Sequence, residues 1–104
     1  MLMSVDTDLI RVLADPLRMR IVTLLATETL CTTHLVAETA AKQTNLSNHL
    51  RVLREAGVVE TEPCGRYTYY RLRPDVIEHL GRSFTELART ARTTRAAETR
   101  RACP

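Results

Sequence analysis

The chain has 104 residues, 44% of them hydrophobic and 26% charged, with one Phe, no Trp and a formal net charge of +3. That length supports one small domain, residues 1–104, with a thin core, and the balance of apolar and charged residues excludes both a disordered chain and a membrane-resident one. No run approaches the ~18 apolar residues needed to cross a bilayer and the N-terminus lacks the pattern of a secretory signal, so a cytoplasmic protein with no membrane partner is expected.

The first helical signal lies at residues 6–14, where Leu9, Ile10, Leu13 and Ala14 share one face. Asp15-Pro16 then offers a capping side chain followed by a proline at the first helical position, which predicts a second helix from Pro16 through Leu17, Ile21, Leu24 and Leu25 to about Ala26. After a polar turn at 27–30, Thr32 or Thr33 can cap a third short helix carrying Leu35, Val36, Thr39 and Ala40. A break near 41–43 separates it from residues 44–56, where only Leu46, Leu50 and Leu53 form an apolar stripe and Gly57 stands where a terminating glycine belongs. The wide face of that fourth helix carries Gln43, Thr44, Asn45, Ser47, Asn48, His49 and Arg51, all hydrogen-bond donors.

Two β-branched or aromatic runs, 58–62 and 67–72, flank Pro63-Cys64-Gly65-Arg66 and predict a hairpin with its turn at 63–66. Pro74-Asp75 opens a last helix with Val76, Ile77, Leu80, Phe84, Leu87, Ala88 and Ala91 at helical spacing. Its assigned span is 75–101, with fraying expected over the last ten residues. The fold class is therefore mainly α with a small β-hairpin, a winged helix-turn-helix in the order ααααββα.

Charge is unevenly spread. Residues 1–41 hold three Arg against five acids, 42–73 hold Lys42, Arg51, Arg54, Arg66, Arg71 and Arg73 against three, and 74–104 hold six Arg against four. A basic middle segment that coincides with two short helices and a hairpin is the footprint of a duplex-DNA contact surface. In such an arrangement the second helix of the pair enters the major groove. Gln43, Thr44, Asn45, Ser47, Asn48 and His49 are placed to reach base edges or phosphates, while Arg51, Arg54 and Arg66 at the hairpin tip neutralise flanking phosphates. No phosphate-cradling glycine loop and no nucleophile or carboxylate constellation points to an enzyme.

Leu13-Ala14-Asp15-Pro16-Leu17-Arg18-Met19-Arg20-Ile21, then Gln43-Thr44-Asn45-Leu46-Ser47-Asn48-His49-Leu50 with Ala56-Gly57-Val58-Val59, and finally Gly65-Arg66 with Tyr69-Tyr70-Arg71-Leu72 resemble the ArsR/SmtB-type winged-helix metal and metalloid sensors. The pattern departs at Thr39, Ala40 and Lys42, where that family commonly has Leu, Gly and a capping Ser. The resemblance implies a homodimeric repressor joined through its first and last helices on a palindromic operator, with half-sites about one helical turn apart. It also implies release from DNA by an ion.

Cys31, in Leu30-Cys31-Thr32-Thr33-His34, is similar to the family's thiolate segment, but Thr33 stands where a second cysteine is often found. Cys31 and His34 at i, i+3 can share a face and form half an ion site; equally, Cys31 can be a small buried hydrophobe and His34 a capping residue. Cys103 could complete a site across a dimer, and His79 on the last helix adds a nitrogen donor, whereas Cys64 near DNA is an awkward ligand. Thiolates favour arsenic(III), cadmium or lead, and His with carboxylates favours nickel or zinc, so the ion stays open. The alternative is a winged-helix regulator that answers to a partner protein, a small molecule or thiol oxidation.

Overall fold

Two short helices open the fold, each started by an aspartate. Asp6 accepts the Leu9 N–H at 2.9 Å to cap α1 (Thr7–Leu13), and Asp15 accepts the Arg18 N–H at 3.0 Å to cap α2 (Pro16–Leu25), whose first residue is the anticipated proline. These positions come from a computed structural model that describes residues 5–104. Residues 1–4 of the domain assigned to 1–104 lie outside the described residues.

A two-residue strand, β1 (Leu30–Cys31), precedes α3 (Thr32–Thr39), α4 (Gln43–Glu55), β2 (Val59–Cys64), β3 (Tyr67–Leu72) and α5 (Pro74–Ala97). The three strands form an antiparallel sheet in the order β1-β3-β2, with Cys31 opposite Tyr69 and Val59 opposite Leu72. The expected order ααααββα lacked β1, because two residues are too few to show an alternating pattern. The cap of α3 is also displaced: Cys31, not Thr32 or Thr33, occupies the cap position, and His34 Nδ1 accepts the Cys31 N–H at 3.1 Å.

One leucine-rich core holds these elements together. Leu9 and Leu13 of α1, Ile21, Val22 and Leu25 of α2, Leu35 of α3 and Leu46, Leu50 and Leu53 of α4 meet Leu30, Val58, Val59 and Leu80. The exit from α4 is fixed by two backbone bonds, Gly57 N–H to the Arg54 carbonyl and Val58 N–H to the Leu53 carbonyl, both 3.0 Å. This is the glycine-terminated motif in which the flanking apolar pair, Leu53 and Val58, packs together. Gly57 lies at φ 78°, a backbone conformation that glycine adopts at little steric cost.

The wing is a longer hairpin than the sequence suggests. Strand pairing continues through Pro63↔Thr68 and Cys64↔Tyr67, which leaves only Gly65 and Arg66 as the turn in place of residues 63–66. Gly65 at φ 60° with Arg66 at negative φ suits the tight two-residue hairpin that demands glycine first. Pro63 is tolerated because β2 is an edge strand.

Past Ser83, no residue of α5 is buried, and Phe84 and Leu87 are 48% and 47% exposed. The helix ends at Ala97, before the boundary at 101, so only residues 95–97 of the last ten, where fraying is expected, remain helical. A 24-residue helix is about 36 Å long. It makes the molecule elongated, 63 × 24 × 20 Å, with a radius of gyration of 18.3 Å against about 13 Å for a compact chain of this size.

Candidate nucleic-acid interface

The turn between α3 and α4 sets the angle at which α4 is presented. Ala40 ends α3 in the left-handed conformation, φ 57° and ψ 16°, with its N–H on the Val36 carbonyl at 2.9 Å. An alanine held there carries a steric cost of about 1–2 kcal/mol that a glycine avoids. Thr39 contributes the compensating bonds: its hydroxyl donates to the Leu35 carbonyl at 2.7 Å and accepts the Ala41 N–H at 3.3 Å. Lys42 caps α4 without a side-chain bond, so the leading amides of α4 have no side-chain acceptor at an end that favours anions.

Leu46, Leu50 and Leu53 form the buried keel of α4, each at most 1% exposed. Gln43, Thr44, Asn45, Ser47, Asn48, Arg51 and Arg54 are exposed, as the periodicity anticipates. At about 100° per residue, Thr44, Ser47, Asn48 and Arg51 project away from the keel, while Gln43 and Arg54 lie along one flank. Arg51 pairs with Glu55 at 3.6 Å, a weak exposed pair that a phosphate can displace.

His49 differs from its neighbours. Its side chain is only 19% exposed, and its Nδ1 accepts from Arg18 Nη1 at 3.0 Å, with Asp15 Oδ2 3.9 Å away. Arg18 Nε also donates to the Val12 carbonyl at 2.6 Å, one of the carbonyls left unpaired at the end of α1. The Arg18 backbone N–H holds the Asp15 carboxyl below its ordinary value; burial opposes this, and His49, when protonated, and the Arg18 guanidinium add to it. Among the candidate reading residues, His49 alone is folded back onto the protein. In the sequence Arg18 stands out only within the family pattern; Asp15-Pro16 followed by Arg18 is the available sign of a structured helix start.

On the wing, Arg66 is exposed at the tip. Arg71 of β3 pairs with Glu60 at 3.1 Å and Glu62 at 3.3 Å on β2, which keeps the two strands in register and takes Arg71 out of the free positive charge. Arg66 is thus the available cation of the hairpin, which makes it the wing residue suited to a phosphate.

The sulfur and imidazole groups are scattered. Cys31 is buried at 4% exposure, His34 is exposed with its ring edge toward Tyr69 at 6.0 Å between centroids, and His79 is exposed on α5. Cys64 and Cys103 are exposed, and Cys103 lies beyond the end of α5. Among the described residues no three of His, Cys, Asp and Glu gather as an ion site would require. With the Nδ1 lone pair of His34 occupied by the cap of α3, Cys31 and His34 do not fit a closed ion site within one chain.

The family model for bacterial regulatory proteins of the arsR family matches residues 15–61. Among curated proteins, the arsenic resistance transcriptional regulator ArsR1 of Pseudomonas putida is 42% identical over 65 residues, covering 62% of this chain and 51% of that protein. The transcriptional repressor SmtB of Mycobacterium tuberculosis is 38% identical over 73 residues, 70% of this chain and 54% of that protein. The matches thus span about half the length of these relatives. A crystal structure of a "possible transcriptional regulator for arsenical resistance" superimposes with a TM-score of 0.68 at 34% identity, covering 88% of this chain and 95% of the other.

Proposed function

Since the chain belongs to the ArsR family of bacterial regulatory proteins, we propose that it is a cytoplasmic, homodimeric transcriptional repressor that reads a palindromic operator with α4. The observation that carries this reading is α4 itself: a three-leucine keel fixed in the core with a donor-rich face turned outward. Beside it stands a wing that offers Arg66. Thr44, Ser47 and Asn48 supply base-edge contacts, and Arg51, Arg54 and Arg66 supply phosphate contacts. Dimerisation is supported by the outer half of α5, where Phe84 and Leu87 leave an apolar face uncovered. Burying the exposed half of each such side chain is worth about 1 kcal/mol, and a second copy offers the same face in return.

Release by an ion is supported by what two of the relatives are named for, arsenic or arsenical resistance, and the candidate ions remain arsenic(III), cadmium, lead, nickel and zinc. Cys31, His34, His79 and Cys103 are the donors available for it, and none of the DNA contacts above depends on an ion. The second reading, a regulator that answers to another effector, is favoured by one observation: Cys31 and His34 are used together to cap α3.

The test is a titration of the chain against duplex selected by it from random DNA, at several salt concentrations, with and without each ion. The expected result is selective binding whose salt dependence weakens by about one unit of slope in Arg66→Ala, for every duplex alike. Binding that is indifferent to sequence sinks the repressor reading. Selective binding that no ion changes leaves the repressor and removes its ion sensing.

A further inference from the structure

We infer that Arg18 is a positioning residue for DNA reading: it clamps α4 to the body of the protein through His49, so that His49 acts as a buttress and not as a base contact. The inference rests on the proposal that α4 is the reading helix. The side chain of Arg18 touches two elements besides its own. Nε holds the Val12 carbonyl at the end of α1, and Nη1 holds His49 Nδ1 on α4; meanwhile the Arg18 backbone N–H caps α2 on Asp15. A leucine keel resists withdrawal of α4 from the core, but resists rotation about the helix axis and sliding along it less well, because apolar contacts have no direction. A hydrogen bond on the flank supplies that direction. Reading residues must be held to within about 0.5 Å and 10–20° to reach their partners, and Thr44, Ser47 and Asn48 sit on the same short helix as the clamp.

The chemistry fixes the state of the clamp. A guanidinium can only donate, so the clamp forms when the His49 Nδ1 facing it is the acceptor and the ring proton sits on Nε2. An asparagine at position 49 would place its carbonyl oxygen where Nδ1 stands and so keep the bond, whereas an alanine would not. Arg18→Met removes the donors and keeps the packing of the stem.

Four variants of the full chain decide the matter: Arg18→Met, His49→Ala, the two combined, and His49→Asn. Each is titrated against duplex selected by the wild-type chain from random DNA and against the scrambled duplex, after circular dichroism confirms folding. Arg18→Met and His49→Ala are each expected to lower affinity for the selected duplex about tenfold, the scale of a lost charge-assisted hydrogen bond. The double variant should lose little more than either single one, as for groups acting through one contact. Binding to scrambled duplex and its salt slope should not change, and His49→Asn should restore selectivity. Nitrogen-15 NMR of the wild-type ring should place the proton on Nε2.

A salt slope lowered by about one in Arg18→Met would make Arg18 a direct phosphate contact and overturn the inference. So would fully additive losses, or a selectivity unchanged by Arg18→Met. If Arg18→Met does not fold, equal losses in His49→Asn and His49→Ala overturn it instead. If the wild-type chain selects no duplex at all, the reading-helix proposal and this inference fall together; selection by the wild type with unaltered variants removes the clamp alone.

Discussion

Leu50 of α4 and Leu87 of α5 sit in apolar stripes that look alike in the sequence, yet Leu50 is 1% exposed and Leu87 is 47% exposed. The stripe of α4 lies over α2, α3 and the start of the sheet, and the chain supplies its own cover. The stripe of α5 is covered only as far as Leu80 and Ser83, after which the helix runs on with no partner among the described residues. A periodic pattern reveals that a face is apolar; what covers it is decided by how far the rest of the chain reaches. One region is thus finished by folding, and the other is left exposed by it.

The sharpest way to probe that difference is to truncate a side chain in each region. Leu50→Ala should lower stability by about 2–5 kcal/mol at any protein concentration, which for a domain of this size is a fall in melting temperature of at least about 8 °C. Leu87→Ala, checked by the same thermal denaturation at two concentrations, should matter only where the chains associate. Equal losses independent of concentration would erase the distinction between the two regions.

A smaller effect is expected at the turn that presents α4. Ala40→Gly should raise stability by about 0.5–1 kcal/mol, since relief of the left-handed alanine exceeds the added freedom of glycine in the unfolded chain. Denaturant unfolding measures this directly. A loss of stability would show that the geometry at Ala40 is not strained in solution.

Much of this architecture was legible in the sequence because the signals are local. Asp15-Pro16 marks the start of α2, Gly57 the end of α4, and Leu46, Leu50 and Leu53 the buried side of α4. What was not legible depends on contacts between distant segments. β1 exists only because Leu30 and Cys31 meet Tyr70 and Tyr69. His49 looks like its donor-bearing neighbours until Arg18, 31 positions earlier, is found beside it. The length of the hairpin was hidden for a related reason: Pro63 and Cys64 look like turn residues but are held in β2 by their pairing with β3.

Whether a chain that folds alone binds DNA as a pair, as proposed, is decided by sedimentation velocity on the wild-type chain and on Phe84→Glu/Leu87→Glu, with and without selected duplex. The wild-type chain is expected to sediment near twice 11.8 kDa and to bind duplex two chains at a time. The variant is expected to stay helical, sediment as a monomer and lose selective binding. A wild-type chain that remains monomeric and still binds selectively as a single copy would contradict that proposal.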